Sequence, residues 1–321
     1  MKFLVTGGHG LIGHNVVQRL QQQGHEIVII DIETNYGIID PAELTYLLEE
    51  RKKKILPCEH YNMDIQDKLS LAWLFERHRF DCVIHLASFP RQKVVNADPA
   101  WASKTMSEGL INLLELATQN QVQRFLYISS SMVYGDFSDD VTEDAPCRPQ
   151  GQYGIMKLAG EWLTKDYARR KNMEYVIIRP SAVYGPLDVE DRVVAKFMLT
   201  AMRGGTLKVN GAGETLDFTY VDDAADGIVA ASTLPQAANK TFNITKSHSV
   251  SLLSAAQMIV DMVGRGSIEC RDRDLDFPSR GALNIDQAKK HLGFNPLVDV
   301  EQGFAAYHAW LSTSKYWYDK F

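Results

Sequence analysis

Lys2-Phe3-Leu4-Val5-Thr6-Gly7-Gly8-His9-Gly10-Leu11-Ile12-Gly13 decides the fold. The first five residues read as a short buried strand. A glycine turn follows, and then an amphipathic helix with Leu11, Ile12, Val16, Val17 and Leu20 on one side. Strand, glycine turn and helix in that order make the arrangement that holds a dinucleotide pyrophosphate. Glycine lets the backbone approach a phosphate closely, and the amides of the helix start face its negative charge. The next strand, Glu26-Ile27-Val28-Ile29-Ile30, ends at Asp31, eighteen residues past Gly13. A carboxylate there is placed to accept hydrogen bonds from an adenosine ribose. The reading is a nicotinamide dinucleotide site.

Outward from this stretch, strand and helix signals alternate. A long connection from Ile32 to about Pro57 contains a helix starting near Pro41. A strand at Glu59–Met63 ends at Asp64. Helix Leu69–Arg77, strand Cys82–Ala87, helix Pro99–Asn120 and strand Arg124–Ile128 follow, then Ser129-Ser130-Ser131. Tyr153–Arg170 reads as a helix and Glu174–Ile178 as a strand. Repeated β-α-β units imply an α/β fold, a doubly wound parallel-sheet Rossmann domain. After Gly185 the segments shorten and turns multiply, which suggests a smaller, mixed α/β substrate-binding lobe. The expected division is 1–178 for the dinucleotide domain, with 217–244 returning to it, and 179–321 mainly for the lobe. Within the returning part, Asp217–Val221 and Lys240–Ile244 are the strands expected to rejoin the main sheet. The aromatic run Tyr316-Trp317-Tyr318 is expected to pack on the body or on a second subunit.

The 321 residues are 45% apolar and 23% charged, with a net charge of −6. This is an ordinary globular composition, and its acidic balance argues against a nucleic-acid surface. Cys58, Cys82, Cys147 and Cys270 show no metal-ligand or disulfide spacing, so no metal is expected. No run approaches the ~18 apolar residues of a membrane span, and the chain enters its first strand with no leader; a cytoplasmic location is the expectation. The charge run Glu49-Glu50-Arg51-Lys52-Lys53-Lys54 reads as the solvated face of a helix.

Tyr153 and Lys157 stand four apart on a helix and so share a face. A free phenol, with a pKa of ~10, is too weak a base at neutral pH. A nearby ammonium and the positive nicotinamide ring of an oxidised cofactor favour the phenolate. Such a tyrosine can take a hydroxyl proton while hydride leaves the same carbon. Y-x-x-x-K alone is short and common, but a serine at the end of a parallel strand sits where open α/β sheets place their crevices. Its hydroxyl can support a developing alkoxide.

Taken jointly, these motifs resemble the extended branch of the short-chain dehydrogenase/reductase superfamily, the nucleotide-sugar epimerases and dehydratases, and within it the 4-epimerases. The matching pieces are Thr6–Gly13, Asp31, Asp64-Ile65, His85-Leu86-Ala87-Ser88, Ser129–Gly135, Tyr153–Lys157 and Arg179–Pro186. Tyr220–Ala224 and Leu292–Pro296 follow later, so the resemblance spans almost the whole chain. It implies tightly bound NAD. Gly7, Gly10, Leu11, Ile12 and Gly13 would cradle the pyrophosphate, Asp31 would take the ribose, and Asp64 and Ile65 would border the adenine. Leu86, Ala87, Ser88 and Pro180 would line the cofactor, and Lys157 would also hold the nicotinamide ribose. The catalytic set would be Ser130, Tyr153 and Lys157. The resemblance also implies a homodimer, with the helices at Pro99–Asn120 and Tyr153–Arg170 pairing across a two-fold axis.

Departures from the family pattern narrow the reaction. The 4,6-dehydratases carry Asp-Glu where this chain has Ser131-Met132, and the decarboxylases carry glutamate at Met132. The 3,5-epimerases and fucose synthases have cysteine near this motif. Methionine cannot transfer a proton, so C4 epimerisation of a nucleotide sugar through a transient 4-keto intermediate is the leading expectation. A sugar dehydrogenase or ketoreductase is the alternative, and a dinucleotide-binding regulator without turnover is the third. On the substrate side, Ala182, Leu216 and Met106 stand where many relatives have asparagine, arginine and asparagine. Ser131, Met132, Arg91, Lys196 and Arg280 are the substrate-side candidates. For the diphosphate, Arg192, Arg203 and Arg273 join Lys196 and Arg280, each also readable as a solvated cation. Arg91 and Lys93 could meet a charged sugar substituent.

Overall fold

The computed structural model describes residues 1–34 and 36–318, the last without its side chain. The first half builds β1 (Lys2–Thr6), α1 (Leu11–Gln22), β2 (Glu26–Asp31), α2 (Pro41–Lys53), β3 (Glu59–Asn62), α3 (Lys68–Arg77) and β4 (Cys82–His85). Then come α4 (Gln92–Ala97), α5 (Pro99–Ser103), a π-helical turn (Lys104–Gly109), α6 (Leu110–Gln119) and β5 (Arg124–Ile128). The next elements are α7 (Gly151–Lys171), β6 (Glu174–Pro180), β7 (Val183–Tyr184), α8 (Val193–Met202), β8 (Thr206–Asn210), β9 (Thr215–Asp217) and β10 (Thr219–Tyr220). The chain continues through α9 (Val221–Thr233), β11 (Lys240–Ile244), β12 (Ser249–Ser251), α10 (Leu252–Val263), β13 (Ser267–Arg271), α11 (Asp286–Leu292) and α12 (Val300–Thr313).

Seven of these strands form one sheet in the order β11-β6-β5-β4-β1-β2-β3. Every pairing in it is parallel. Successive side chains of a strand point to opposite faces, and β1 shows what each face meets. Phe3 and Val5 join Val16, Val17 and Leu20 of α1 and Ile228 of α9. Leu4 joins Leu71 and Leu74 of α3 and Leu110 and Leu113 of α6. Both faces are therefore covered, which is why β1, β4 and β5 read as continuous apolar runs. The strand order reverses between β1 and β4, and that switch point opens a crevice at the carboxyl ends of the strands. Among the described residues, no helix is long and apolar enough to cross a membrane.

The smaller lobe has its own core, in which Phe197 and Met198 of α8, Ile259 of α10 and Phe304 and Tyr307 of α12 meet Phe218. Here one expectation is corrected. Lys240–Ile244 joins the main sheet beside β6, but Asp217–Val221 does not. Thr215–Asp217 pairs antiparallel with β12, and Thr219–Tyr220 pairs with β7. The reason is Phe218, which lies between the two short strands and anchors the segment in the lobe core, 1% exposed. Two further readings change. The Pro99–Asn120 helix contains a π-helical turn that ends at Gly109, where a Cβ would stand 2.6 Å from Ile65. In the charge run at the end of α2, Arg51 is buried at 5% exposure rather than solvated. At the C-terminus, Trp317 is buried in the lobe core and Tyr316 stacks on Tyr46.

A buried ion pair fixes α7 to the sheet. Arg179 of β6 donates from Nε and Nη2 to the two oxygens of Glu161 at 2.9 and 2.7 Å. The Ser129 hydroxyl donates to the same carboxylate at 2.6 Å. Glu161→Leu removes the carboxylate and leaves a guanidinium charge stranded, a loss of about 3–5 kcal/mol. A urea titration followed by circular dichroism reads this as a lowered midpoint.

Candidate active site

The turn after β1 is built for close approach. Gly7 has φ +71°, and a Cβ on it would stand 2.8 Å from the Ala87 nitrogen. A Cβ on Gly13 would stand 2.2 Å from the Gly7 carbonyl oxygen, so glycine there lets α1 pack onto the turn. Gly10 caps α1 without a side-chain hydrogen bond, and Leu11 and Ile12 open the helix. Asp31 at the end of β2 is held by two backbone N–H groups, His9 to Oδ2 at 2.9 Å and Glu33 to Oδ1 at 2.7 Å. Arg51 braces the turn from beneath. It donates to the His9 carbonyl at 3.1 Å and to the Leu187 carbonyl at 2.6 Å. The charge-run reading missed this role, because burial of one residue in a charged run leaves no trace in composition.

Thr6 ties β1 to the β4 side. Its hydroxyl accepts from the Ala87 N–H at 3.1 Å, and its carbonyl accepts from the Leu86 N–H at 3.1 Å. Ser88 donates to the Phe89 carbonyl at 3.1 Å. Asp64 is engaged by Gln66, whose N–H donates to Oδ1 at 2.9 Å and whose Nε2 donates to Oδ2 at 3.1 Å. The same Nε2 reaches the Thr105 hydroxyl at 3.1 Å. Gly7, Gly10, Leu11, Ile12, Gly13, Asp31, Asp64, Ile65, Leu86, Ala87, Ser88 and Pro180 all border one cavity of about 720 Å³.

Ser130, Tyr153 and Lys157 border that same cavity. Of the three serines at the end of β5, Ser129 turns to Glu161, and Ser131 donates to Ser181 at 3.3 Å. Ser130 accepts from the Met132 N–H at 3.2 Å, and its hydroxyl lowers the proton affinity of the Tyr153 phenol. The backbone N–H of Tyr153 donates to the Gln92 side-chain oxygen at 3.1 Å, which secures the first turn of α7 to α4. The Lys157 ammonium donates to the Ile128 carbonyl at 2.8 Å and lies 5.3 and 5.8 Å from the ring centroids of Tyr127 and Tyr153.

Electrostatics modify the expected division of labour. Burial pushes the Tyr153 phenol above its ordinary value, and the Ser130 hydroxyl and the Arg192 charge pull it back. Burial brings Lys157 down to about 7. The charge of Arg192, which spacing alone offered only as a diphosphate contact, thus also bears on the phenol.

The substrate-side candidates Ser131, Met132, Arg91, Lys196 and Arg280 also border the cavity, as does Lys93. Met132 packs with Tyr153, Phe89 and Met106 in an apolar wall. Arg280 has its backbone carbonyl fixed by the Thr215 hydroxyl. Burial lowers its guanidinium to about 10, with Glu214 opposing that shift. Arg273 pairs with Glu214 at 3.4 Å and does not border the cavity, nor does Arg203, which caps α8.

The fold and the glycine turn together are those of a dinucleotide-dependent enzyme. The chain belongs to the NAD dependent epimerase/dehydratase family, whose family model matches residues 3–245. NAD is the cofactor of that family. Among relatives, the chain is 30% identical over 320 residues to the uncharacterized UDP-glucose epimerase YtcB of Bacillus subtilis, covering 98% of each. It superposes on Pal from Bacillus thuringiensis with a TM-score of 0.87 at 30% identity, covering 98% of this chain and 100% of that one. It also superposes on the UDP-glucuronic acid 4-epimerase of Bacillus cereus, solved with UDP-glucuronic acid and NAD, with a TM-score of 0.88 at 27% identity, covering 97% and 98%.

The low proton affinity of buried Lys157 sets a pH dependence. An unfolded chain holds this proton to pH ~10.4, whereas the folded one releases it near 7. Below pH 7 the ammonium is charged in both states and its burial opposes folding in full. Between 7 and ~10 the unfolded state binds more protons, so stability rises with pH. In dinucleotide-free protein, the wild type should gain about 3 kcal/mol on Lys157→Met between pH 7 and 9.5. Paired urea titrations at the two pH values measure this, and a difference independent of pH would show an unperturbed lysine.

Proposed function

We propose that this chain is an NAD-dependent nucleotide-sugar 4-epimerase working through a transient 4-keto sugar. The observation that carries the reading is the convergence of Ser130, Tyr153 and Lys157 on the cavity that starts at the glycine turn, with apolar Met132 in the adjoining wall. The residues fit NAD, since a Cβ on Gly7 or Gly13 would fill space the turn needs, and the first amides of α1 carry no side-chain cap. NAD supplies a two-electron acceptor that returns the same electrons to the sugar, so none is consumed per turnover.

The protein's own part is proton transfer and exclusion. Tyr153 takes the proton of the C4 hydroxyl and later returns it. Ser130 steadies the oxygen as its charge changes. The Ser130 hydroxyl and the positive charge of Arg192 lower the proton affinity of the phenol against the larger effect of burial, which leaves it above its ordinary value. Lys157 orients the site and binds ribose hydroxyls. Met132 offers no acid or base for water loss or decarboxylation at this wall. Arg280 is the proposed diphosphate contact. In the same reading, residues 1–178 with 240–244 hold the dinucleotide and most of 179–321 holds the sugar. Ile155 and Trp162, 53% and 65% exposed on α7, support a homodimer through that helix.

Purified protein should retain NAD and interconvert C4 epimers of its substrate with no cofactor added. Tyr153→Phe should lower kcat by about 10²–10⁴-fold while NAD stays bound. Strict stoichiometric consumption of added NAD or NADH would instead mark a dehydrogenase. Unchanged kcat in the variant would remove Tyr153 from the mechanism.

A further inference from the structure

The first turn of α7 carries the phenol but not its own cap. Gln150, the N-cap residue, makes no side-chain hydrogen bond to the turn. The amides at a helix start have no partner within the helix, and an uncapped end frays. Here the acceptor comes from another element. Gln92 of α4, 4% exposed, accepts from the Tyr153 N–H through Oε1 at 3.1 Å. A backbone N–H can only donate, so the oxygen end of the Gln92 amide faces α7. The other end, Nε2, donates to the Asn96 side-chain oxygen at 2.9 Å, one turn along α4. Space for this contact is built into α7. Gly151 has φ +75°, and a Cβ on it would stand 2.2 Å from Gln92 Nε2. The first residues of α4 are themselves anchored. Val94 and Val95 lie in the apolar wall with Tyr153. Arg91 donates to the Asp191 carbonyl at 2.8 Å and forms an ion pair with its carboxylate.

The turn has a second fixed point. A Cβ on Gly154 would stand 2.7 Å from the Met132 carbonyl oxygen, so α7 also rests against the loop that carries Ser130. Gln92 and that carbonyl together set the tilt of the turn. Tyr153 is its third residue, and the phenol oxygen lies at the far end of the side chain. A small tilt therefore moves that oxygen farther than it moves the backbone. Proton transfer needs the two heavy atoms within hydrogen-bond reach, and a misplacement of ~1 Å can cost ~10²-fold in rate.

We propose that Gln92 is a positioning residue for the reaction: by capping α7 from α4 through the Tyr153 N–H, it holds the phenol in line with the hydroxyl whose proton it takes. This rests on the reading of Tyr153 as the proton-transfer group, and the test separates the two.

The test is a double-mutant cycle between Gln92 and Tyr153 on NAD-loaded enzyme, with UDP-glucose as the probe and UDP-glucuronate run beside it. Gln92→Met keeps the reach of the side chain and removes the acceptor. It should lower kcat about 10- to 100-fold and leave KM and NAD content within about twofold. Gln92→Glu presents an oxygen at the same reach, and the exposed Asn96 amide can turn its NH₂ group towards it. That variant should return kcat to within about threefold of wild type. In a Tyr153→Phe background, Gln92→Met should cost less than about threefold, because the oxygen that it positions is gone. A purely structural cap gives another pattern. Gln92→Met would then lower the urea midpoint while the folded enzyme kept its kcat, or would cost the same factor in both backgrounds. Either result overturns the proposal, as does a Gln92→Glu enzyme no faster than Gln92→Met. A slow Tyr153→Phe enzyme beside an unimpaired Gln92→Met enzyme sinks this proposal alone. The cycle runs equally on a dehydrogenase turnover, so stoichiometric consumption of NAD would sink the epimerase reading and leave this one standing.

Discussion

Glu161 and Arg179, a carboxylate and a guanidinium with almost no access to water, hold the working end of the molecule in register. Removing two charges from solvent is expensive and is offset only by near-complete hydrogen bonding. Here the bonding is dense. Glu161 accepts from Ser129 and twice from Arg179. Arg179 also donates to the Tyr134 hydroxyl at 2.9 Å and to the Glu143 carbonyl at 3.0 Å, and Tyr134 passes the chain on to Asn243 at 2.8 Å. One network thus joins the end of β5, β6, β11 and α7. Tyr153, Lys157 and Glu161 recur at intervals of four on α7 and share a face. Fixing Glu161 against Arg179 therefore sets the height of Tyr153 and Lys157 above the ends of the strands.

The dinucleotide side depends on a different constraint, backbone proximity. Gly7 and Gly13 allow strand, turn and helix to approach more closely than any Cβ permits. The turn is then stiffened from both sides, by Asp31 taking the His9 N–H and by Arg51 taking the His9 carbonyl. Arg51 also takes the Leu187 carbonyl, so the turn and the loop that leads to Asp188 and Arg192 share one buried guanidinium. The glycine turn and the opposite wall of the cavity are thereby linked through α2.

Local sequence carries the sheet well because its evidence is local. Apolar runs bounded by Gly7, Asp31 and Ser129 mark strands with both faces covered, and their order follows from repeated crossovers. The glycine turn, Asp31 and the Tyr153–Lys157 spacing are equally local, and the structure brings all of them to one cavity. What escaped depends on contacts between residues far apart in the chain. Phe218 diverts Asp217–Val221 into the lobe because of partners such as Phe304 in α12. Arg51 is buried only because residue 187 comes to meet it. The influence of Arg192 on Tyr153 spans 39 positions of sequence and has no periodic or motif signature. Lys157 kept its expected place, but its effect on the phenol was read from the properties of an exposed ammonium, and burial changes those properties.

The distribution of charge explains how an acidic protein can select an anionic ligand. With a net charge of −6, the surface as a whole repels anions at long range. Salt screens that repulsion within ~10 Å, whereas charges in a low-dielectric wall are screened far less. Arg51, Arg91, Arg192 and Arg280 all border the cavity, and burial lowers the proton affinity of Arg51, Arg91 and Arg280 without discharging them. Their fields are focused inward, where an anion that has already shed water meets them at short distance. Recognition then rests on where the charges sit inside the cavity rather than on attraction from afar.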